Sequence, residues 1–288
     1  MTKLKVLDLF SGIGGFSLGL ERAIHDGHYT GFETVAFCEI EEFPRRVLAK
    51  HWPDVPCYTD VRTLTAGQLA SDGIAVDVIC GGFPCQDIST AGKGAGLAGE
   101  RSGLWSEIAR LVGELSPRFV IVENVSALLG RGLGDVLGDL AALGYDAEWH
   151  CIPASHVGAP HRRDRVWIMA YPNRSFRERT RLSSGIQSFN AWIGERGSKA
   201  SFMADTTSQR QQGQGEPGQR GSETPHGEGQ TNQLIAIRVG GVWPVEPDVG
   251  RVANGVPDRA HRLKGLGNAV VPQIPELIGN AILEAINT

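Results

Sequence analysis

Leu4-Lys5-Val6-Leu7-Asp8-Leu9-Phe10-Ser11-Gly12-Ile13-Gly14-Gly15-Phe16 joins an apolar run to a glycine-rich turn and then to a second apolar pattern. Leu4 to Leu9 reads as a buried strand, and Phe16 to Ile24 as the helix that follows the turn. A strand that ends in glycines and opens a helix lets backbone N–H groups approach a ligand closely. A dinucleotide fingerprint would need glycine at position 17, where the chain has Ser17, so a nicotinamide oxidoreductase is disfavoured. A second acid, Glu39, ends the next predicted strand, Thr34 to Cys38, where a carboxylate can bind the two hydroxyls of a ribose. Turn and acid together point to a nucleoside-containing ligand that need not be a dinucleotide.

Outward from this segment the pattern repeats. Helices are predicted near Glu41 to Lys50, Leu104 to Leu115 and Leu133 to Leu143. Strands are predicted at Val76 to Cys80, Phe119 to Val122, Ala147 to Ile152 and Arg165 to Ala170. Alternation of this kind predicts an α/β fold, a doubly wound and mostly parallel sheet with helices on both faces. The texture changes after Tyr171-Pro172-Asn173. From Thr206 to Gln233 the chain is Gln, Gly, Ser, Thr and Glu with almost no apolar side chains, a composition expected to stay disordered. A helical stripe returns over Pro272 to Ile286. The expected organisation is a catalytic and cofactor-binding domain over 1–171, a smaller domain over 172–250, and a return to the large domain over 251–288.

Two side chains stand where open α/β sheets place their chemistry, past the carboxyl ends of strands. Cys85 follows Gly81-Gly82-Phe83-Pro84, and Pro84 fixes φ, so the thiol is presented from a stiff loop. Its bland reading is a buried cysteine in a turn. Glu123 follows Phe119-Val120-Ile121-Val122 and is expected on the same sheet edge. An acid in a partly dry cleft has its pKa raised and can donate a proton.

Composition excludes little but narrows the setting. The chain is 41% hydrophobic and 21% charged with net charge −4, ordinary values for a globular protein. Five cysteines (38, 57, 80, 85 and 151) with no Cys-x-x-Cys pair argue against a disulfide scaffold or a metal site, and fit a reducing cytoplasmic setting. No stretch reads as a membrane span, and Met1-Thr2-Lys3-Leu4-Lys5 has no signal-peptide layout. Between His161 and Arg181, seven arginines stand against only Asp164 and Glu178. Such a run is a solvated face or a strip for phosphates.

Five motifs occur in order: Asp8-Leu9-Phe10-Ser11-Gly12-x-Gly14-Gly15, Gly82-Phe83-Pro84-Cys85-Gln86, Glu123-Asn124-Val125, His161-Arg162-Arg163-Asp164-Arg165, and Gly267-Asn268-Ala269-Val270-Val271-Pro272. The set resembles the DNA (cytosine-5)-methyltransferase family of bacterial or phage type. That resemblance implies a Rossmann-like fold and S-adenosylmethionine as methyl donor. It also implies methylation of carbon 5 of a flipped-out cytosine in duplex DNA through a Cys85–C6 adduct. Glu123, Arg163 and Arg165 match the family's other catalytic positions; His161 replaces the usual glutamine. Phe10, Gly12, Gly14, Gly15, Glu39, Asp60, Pro84, Leu104 and Asn268 match cofactor-pocket positions. Gln86, Ser89, Arg174, Arg177, Arg179 and Arg181 are the expected DNA contacts, with Ser89 to Arg101 as a closing lid and 172–250 as the target-recognition region. An RNA-directed relative and an inactive DNA-binding homologue carry similar signatures. Against the second, Cys85, Glu123, Arg163 and Arg165 are all present. One chain holds every catalytic part, so a monomer suffices; a partner of a restriction enzyme, a phage-borne enzyme and a solitary regulator would look alike here.

Overall fold

A computed structural model describes residues 2–25, 29–84, 104–173 and 259–287. The first strand, β1 (Leu4–Leu9), leads through the glycine turn into α1 (Gly15–Arg22). Two short strands, β2 (Ile24–His25) and β3 (Tyr29–Thr30), then β4 (Phe32–Cys38), α2 (Glu42–His51), β5 (Cys57–Tyr58) and α3 (Ala66–Ser71) follow. Next come β6 (Val78–Gly81), α4 (Trp105–Leu115), β7 (Phe119–Val125), α5 (Leu133–Ala142), β8 (Tyr145–Pro153) and β9 (Asp164–Pro172). Two C-terminal helices close the described chain, α6 (Arg259–Asn268) and α7 (Gln273–Asn287).

Seven strands form one sheet in the order β5-β4-β1-β6-β7-β9-β8. The pairs from β5 to β7 are parallel, while β9 runs antiparallel to both β7 and β8. The chain winds outward from β1 to β5, then returns to β6 on the other side of β1. That reversal makes the gap between the carboxyl ends of β1 and β6 the topological switch point, where open α/β sheets bind ligands.

Side-chain alternation along the strands builds two cores. Leu4 and Val6, Val78 and Cys80, and Phe119 and Ile121 pack with Phe16 and Leu20 of α1 and with Ile274, Ile278 and Ile282 of α7. Leu7, Leu9, Ile79, Val120 and Val122 pack on the opposite face with Leu69 of α3, Ile108 and Leu111 of α4, and Val136 and Leu140 of α5. Both faces are therefore covered, which is why the central strands are apolar almost throughout.

The C-terminal helix is keyed into this sandwich by missing side chains. A Cβ on Gly19 would lie 2.2 Å from the Pro272 carbonyl oxygen, and one on Gly279 would lie 2.6 Å from the Ala23 Cβ. By length and composition Lys264–Asn287 is long and apolar enough to cross a membrane, contrary to the expectation from sequence. Half of its most apolar stretch is buried in the protein. Its isoleucines serve the core against α1.

Two boundaries differ from expectation, and two short elements are new. The first helix ends at Arg22, because Ala23 turns extended and Ile24 pairs with Thr30 instead, its N–H donating to Asn280 Oδ1 at 2.9 Å. Strand β7 runs on to Val125, so Glu123 lies inside the strand rather than after it. The antiparallel partner β9 extends it, pairing Glu123 with Trp167 and Val125 with Arg165. The short elements β5 and α3 have no counterpart in the sequence reading.

Candidate active site

The glycine turn is held from three sides. Ser11 donates through its hydroxyl to the Asp8 carbonyl (2.5 Å) and through its N–H to the Cys38 carbonyl at the end of β4 (3.3 Å). Gly12 N–H donates to Glu39 Oε2 at 2.8 Å, and Glu41 N–H donates to Glu39 Oε1 at 2.7 Å. Both oxygens of this nearly buried carboxylate thus accept backbone bonds that fix its plane. Phe10 sits at φ +53°, a conformation that non-glycine residues rarely adopt and that marks a locally strained turn.

The three glycines of the turn do different work. A Cβ on Gly14 would lie 2.6 Å from the Trp52 ring, and one on Gly15 would lie 2.6 Å from the Val270 carbonyl oxygen. Those two positions are closed by protein. Gly12, at φ +53°, has nothing within 4 Å of its Cβ position. Among the described residues nothing fills the space that its missing side chain leaves. Trp52 is itself held by Glu21, its indole N–H 3.0 Å from Oε2.

Asp8 lies beneath the turn and is fully buried. Its Oδ2 accepts from the Ser17 hydroxyl (2.8 Å) and N–H (3.3 Å). Burial pushes this carboxyl up to about 8, against the lowering effect of Ser17. It therefore keeps a proton at neutral pH.

Other expected cofactor positions fall on the same sheet edge, because β1, β4, β5 and β6 are parallel. Asp60 follows β5, and its carboxylate receives the Arg62 guanidinium at 2.7 Å, which holds it below the usual carboxylate range. Pro84 follows β6 and Leu104 immediately precedes α4; both are half-buried. Asn268 ends α6 and is exposed, two residues before the Val270 carbonyl that covers Gly15.

Across the switch point lies a charged cluster. Arg165 Nε is 2.8 Å from Glu123 Oε1. The other Glu123 oxygen, Oε2, would be only 2.8 Å from a Cβ on Gly82, so glycine there gives the carboxyl its room. Burial raises the Glu123 pKa, opposed by Arg165 and Arg163. Asn124, buried beside it, donates from Nδ2 to the Phe83 carbonyl at 3.1 Å and accepts from Val125 N–H at 2.8 Å. The loop that leaves β6 is thereby tied to β7 two residues before Cys85. Arg163 adopts φ +38°, and its Nη1 donates to the Gly267 carbonyl at 2.6 Å.

Cys85, Gln86, Ser89, Arg174, Arg177, Arg179 and Arg181 lie outside the described residues, as do the expected lid and nearly all of 172–250. Asn124, Trp52 and α6 before Gly267 contribute here without having been singled out from sequence. Asn124 stood within a quoted motif but had no assigned partner. Trp52 and α6 show no periodicity or spacing that would have flagged them.

A seven-stranded α/β sheet with a glycine turn and the nearly buried Glu39 at its switch point is a Rossmann-like fold. The Entamoeba histolytica methyltransferase EhMeth shares that fold: TM-score 0.51 at 18% identity, covering 61% of this chain and 55% of that one. The family model for C-5 cytosine-specific DNA methylases matches residues 4–217, and the chain belongs to that family. Among curated relatives, type II methyltransferase M2.BsuMI of Bacillus subtilis is 35% identical over 175 residues, 58% of this chain and 42% of that protein. Type II methyltransferase M.Sau3AI of Staphylococcus aureus is 33% identical over 192 residues, 59% of this chain and 44% of that protein. The matched region thus spans less than half the length of these relatives.

Proposed function

We propose that this protein methylates carbon 5 of cytosine in duplex DNA, with S-adenosylmethionine as methyl donor. The observation that carries the reading is the Glu123–Arg165 pair, set one strand away from the short Gly82-Phe83-Pro84 loop that leads directly to Cys85. The donor fits the switch point: Gly12 leaves open space, and Glu39 is fixed in plane by Gly12 and Glu41. In this reading Phe10, Gly12, Gly14, Gly15, Glu39, Asp60, Pro84, Leu104 and Asn268 surround the donor. Bound there, it supplies an electrophilic methyl group.

The protein's own residues prepare the base. Carbon 5 of cytosine is too electron-poor to take a methyl group unaided. Addition of the Cys85 thiolate to carbon 6 moves an electron pair toward carbon 5. Negative charge then develops at N3, and a Glu123 carboxyl that holds its proton more tightly than usual donates there. Arg165 keeps Glu123 in place, and Arg163 is presented toward the base by its unusual backbone. Loss of the carbon-5 proton after methylation expels Cys85 and restores the ring. Residues 172–250 read the target sequence, with Gln86, Ser89 and the arginines at 174, 177, 179 and 181 on the DNA.

A mixed-sequence duplex with 5-fluorocytosine in place of cytosine tests the proposal. Fluorine cannot leave as a proton does, so the adduct should accumulate. The expected result is a complex of protein and DNA that survives denaturation, requires S-adenosylmethionine, and is missing from Cys85→Ser. A complex formed equally by Cys85→Ser overturns the assignment of the nucleophile.

A further inference from the structure

Helix α6 touches both halves of the site. On the glycine-turn side, Lys264 Nζ is 2.5 Å from Glu41 Oε1, His261 stacks on Phe43 of α2 with ring centroids 6.1 Å apart, and the Cβ position of Gly265 lies 3.6 Å from Ile13. Glu41 is the residue whose N–H fixes Glu39, and Ile13 sits between Gly12 and Gly14. On the other side, the Gly267 carbonyl holds Arg163. The two anchor points, Lys264 and Gly267, are separated by only two residues.

The helix has little reason to lie there on its own account. Arg259–Asn268 carries two glycines and mostly polar side chains, so its intrinsic helicity is low and docking decides its position. Shift α6 along α2 and Gly267 moves relative to Arg163. Shift Glu39 or the glycine turn and α6 must follow.

We propose that Lys264 is a positioning residue that couples the donor pocket to the base pocket through α6. The Lys264–Glu41 pair sets where α6 rests on α2, and the Gly267 carbonyl passes that setting to Arg163. Occupation of the pocket beside Glu39 thereby orders the arginine that meets the base. An exposed ion pair of this kind contributes little to overall stability, so its effect is on register rather than on folding. The inference rests on the methyltransferase reading above, and extends it to Lys264 and Glu41.

The test is a binding cycle with the full chain. The affinity for S-adenosylhomocysteine is measured by calorimetry with and without saturating linear plasmid DNA. The native chain should bind it at least about 5-fold more tightly when DNA is present, within the usual range for coupled sites. Lys264→Glu, which sets like charges against Glu41, should bring that ratio close to one. Lys264→Met should lower it less, while its affinity without DNA stays within about twofold, on the scale of an exposed pair. The exchanged pair Lys264→Glu with Glu41→Lys should restore the native ratio, which a general loss of fold cannot do. A native ratio near one, or an unchanged ratio in Lys264→Glu, overturns the proposal. Methylation of the same plasmid by the native chain is scored in parallel. Its presence with an unchanged ratio rejects the coupling alone, whereas its absence rejects the underlying reading as well.

Discussion

The two sides of the switch point are built by different means. On the glycine-turn side, positions are set by backbone hydrogen bonds between neighbours in the sheet: Gly12 and Glu41 on Glu39, Ser11 on Cys38, Ser17 on Asp8. On the Glu123 side they are set by charge and by distant chain. Arg165 reaches Glu123 across antiparallel strands, and Arg163 is held by Gly267, 104 positions away. A pocket fixed by backbone N–H donors is rigid. A cluster made of paired charges responds to every substitution and to pH. The contrast suits a site in which one ligand must be held still while protons move beside the other.

The contrast breaks most sharply at Glu123. Glu123→Gln keeps the shape but has no acid proton to give. Methyl transfer should fall by about 10²–10³-fold, the usual cost of one lost donor to developing charge. Calorimetric affinity for S-adenosylhomocysteine should stay within about threefold of native, given the backbone construction of that side. A parallel collapse in both would show that the two sides are not separately built.

Within the glycine turn the prediction divides by residue. Gly15→Ala forces a Cβ against the Val270 carbonyl at 2.6 Å, a backbone atom that cannot rotate away. It should cost about 1–3 kcal/mol of stability in chemical denaturation, as overpacking does. Gly12→Ala meets nothing within 4 Å and carries only the strain of its positive φ. It should lower stability by about 1 kcal/mol and act chiefly on donor affinity, seen by calorimetry. Equal stability losses at the two positions would mean that Gly12 is also a packing glycine.

A further effect is expected at Asp8 and shows in pH dependence. In the unfolded chain this carboxyl ionises near 3.9; in the fold it keeps its proton up to about 8. Its raised pKa therefore favours the fold most at low pH, and that advantage drains away as pH rises through this window. The slope is at most about 1.4 kcal/mol per pH unit. Asp8→Asn can still accept from Ser17 but does not titrate. Its stability relative to native should climb between pH 4 and pH 8 in urea melts. A constant difference across that range would show that Asp8 is ionised in the fold.

The sequence made the long elements legible because their apolar periods are unbroken: β1 begins and ends where expected, and β4, β6, α4 and α5 lie within two residues of expectation. What it hid was anything decided at long range. Strand β5 is two residues and α3 is six, too short to show a period. Glu123 seemed to follow its strand because pairing with β9 is not written locally. That Gly14 and Gly15 also leave room for Trp52 and for the Val270 carbonyl is set by packing from distant chain. Helix α6 was illegible for the same reason, since it is polar, glycine-bearing and held by partners more than two hundred residues back. The acids were found readily, because an acid after a strand is conspicuous. Asn124, which ties the β6 loop, has no such mark.

The central claim is most directly tested by base-resolution mapping of 5-methylcytosine on mixed-sequence duplex DNA, incubated with S-adenosylmethionine and either the native chain or Cys85→Ser. The account predicts methylation at one short motif by the native chain and none by the variant. Methylation that persists in Cys85→Ser, or none by a native chain shown to bind S-adenosylmethionine, would contradict it.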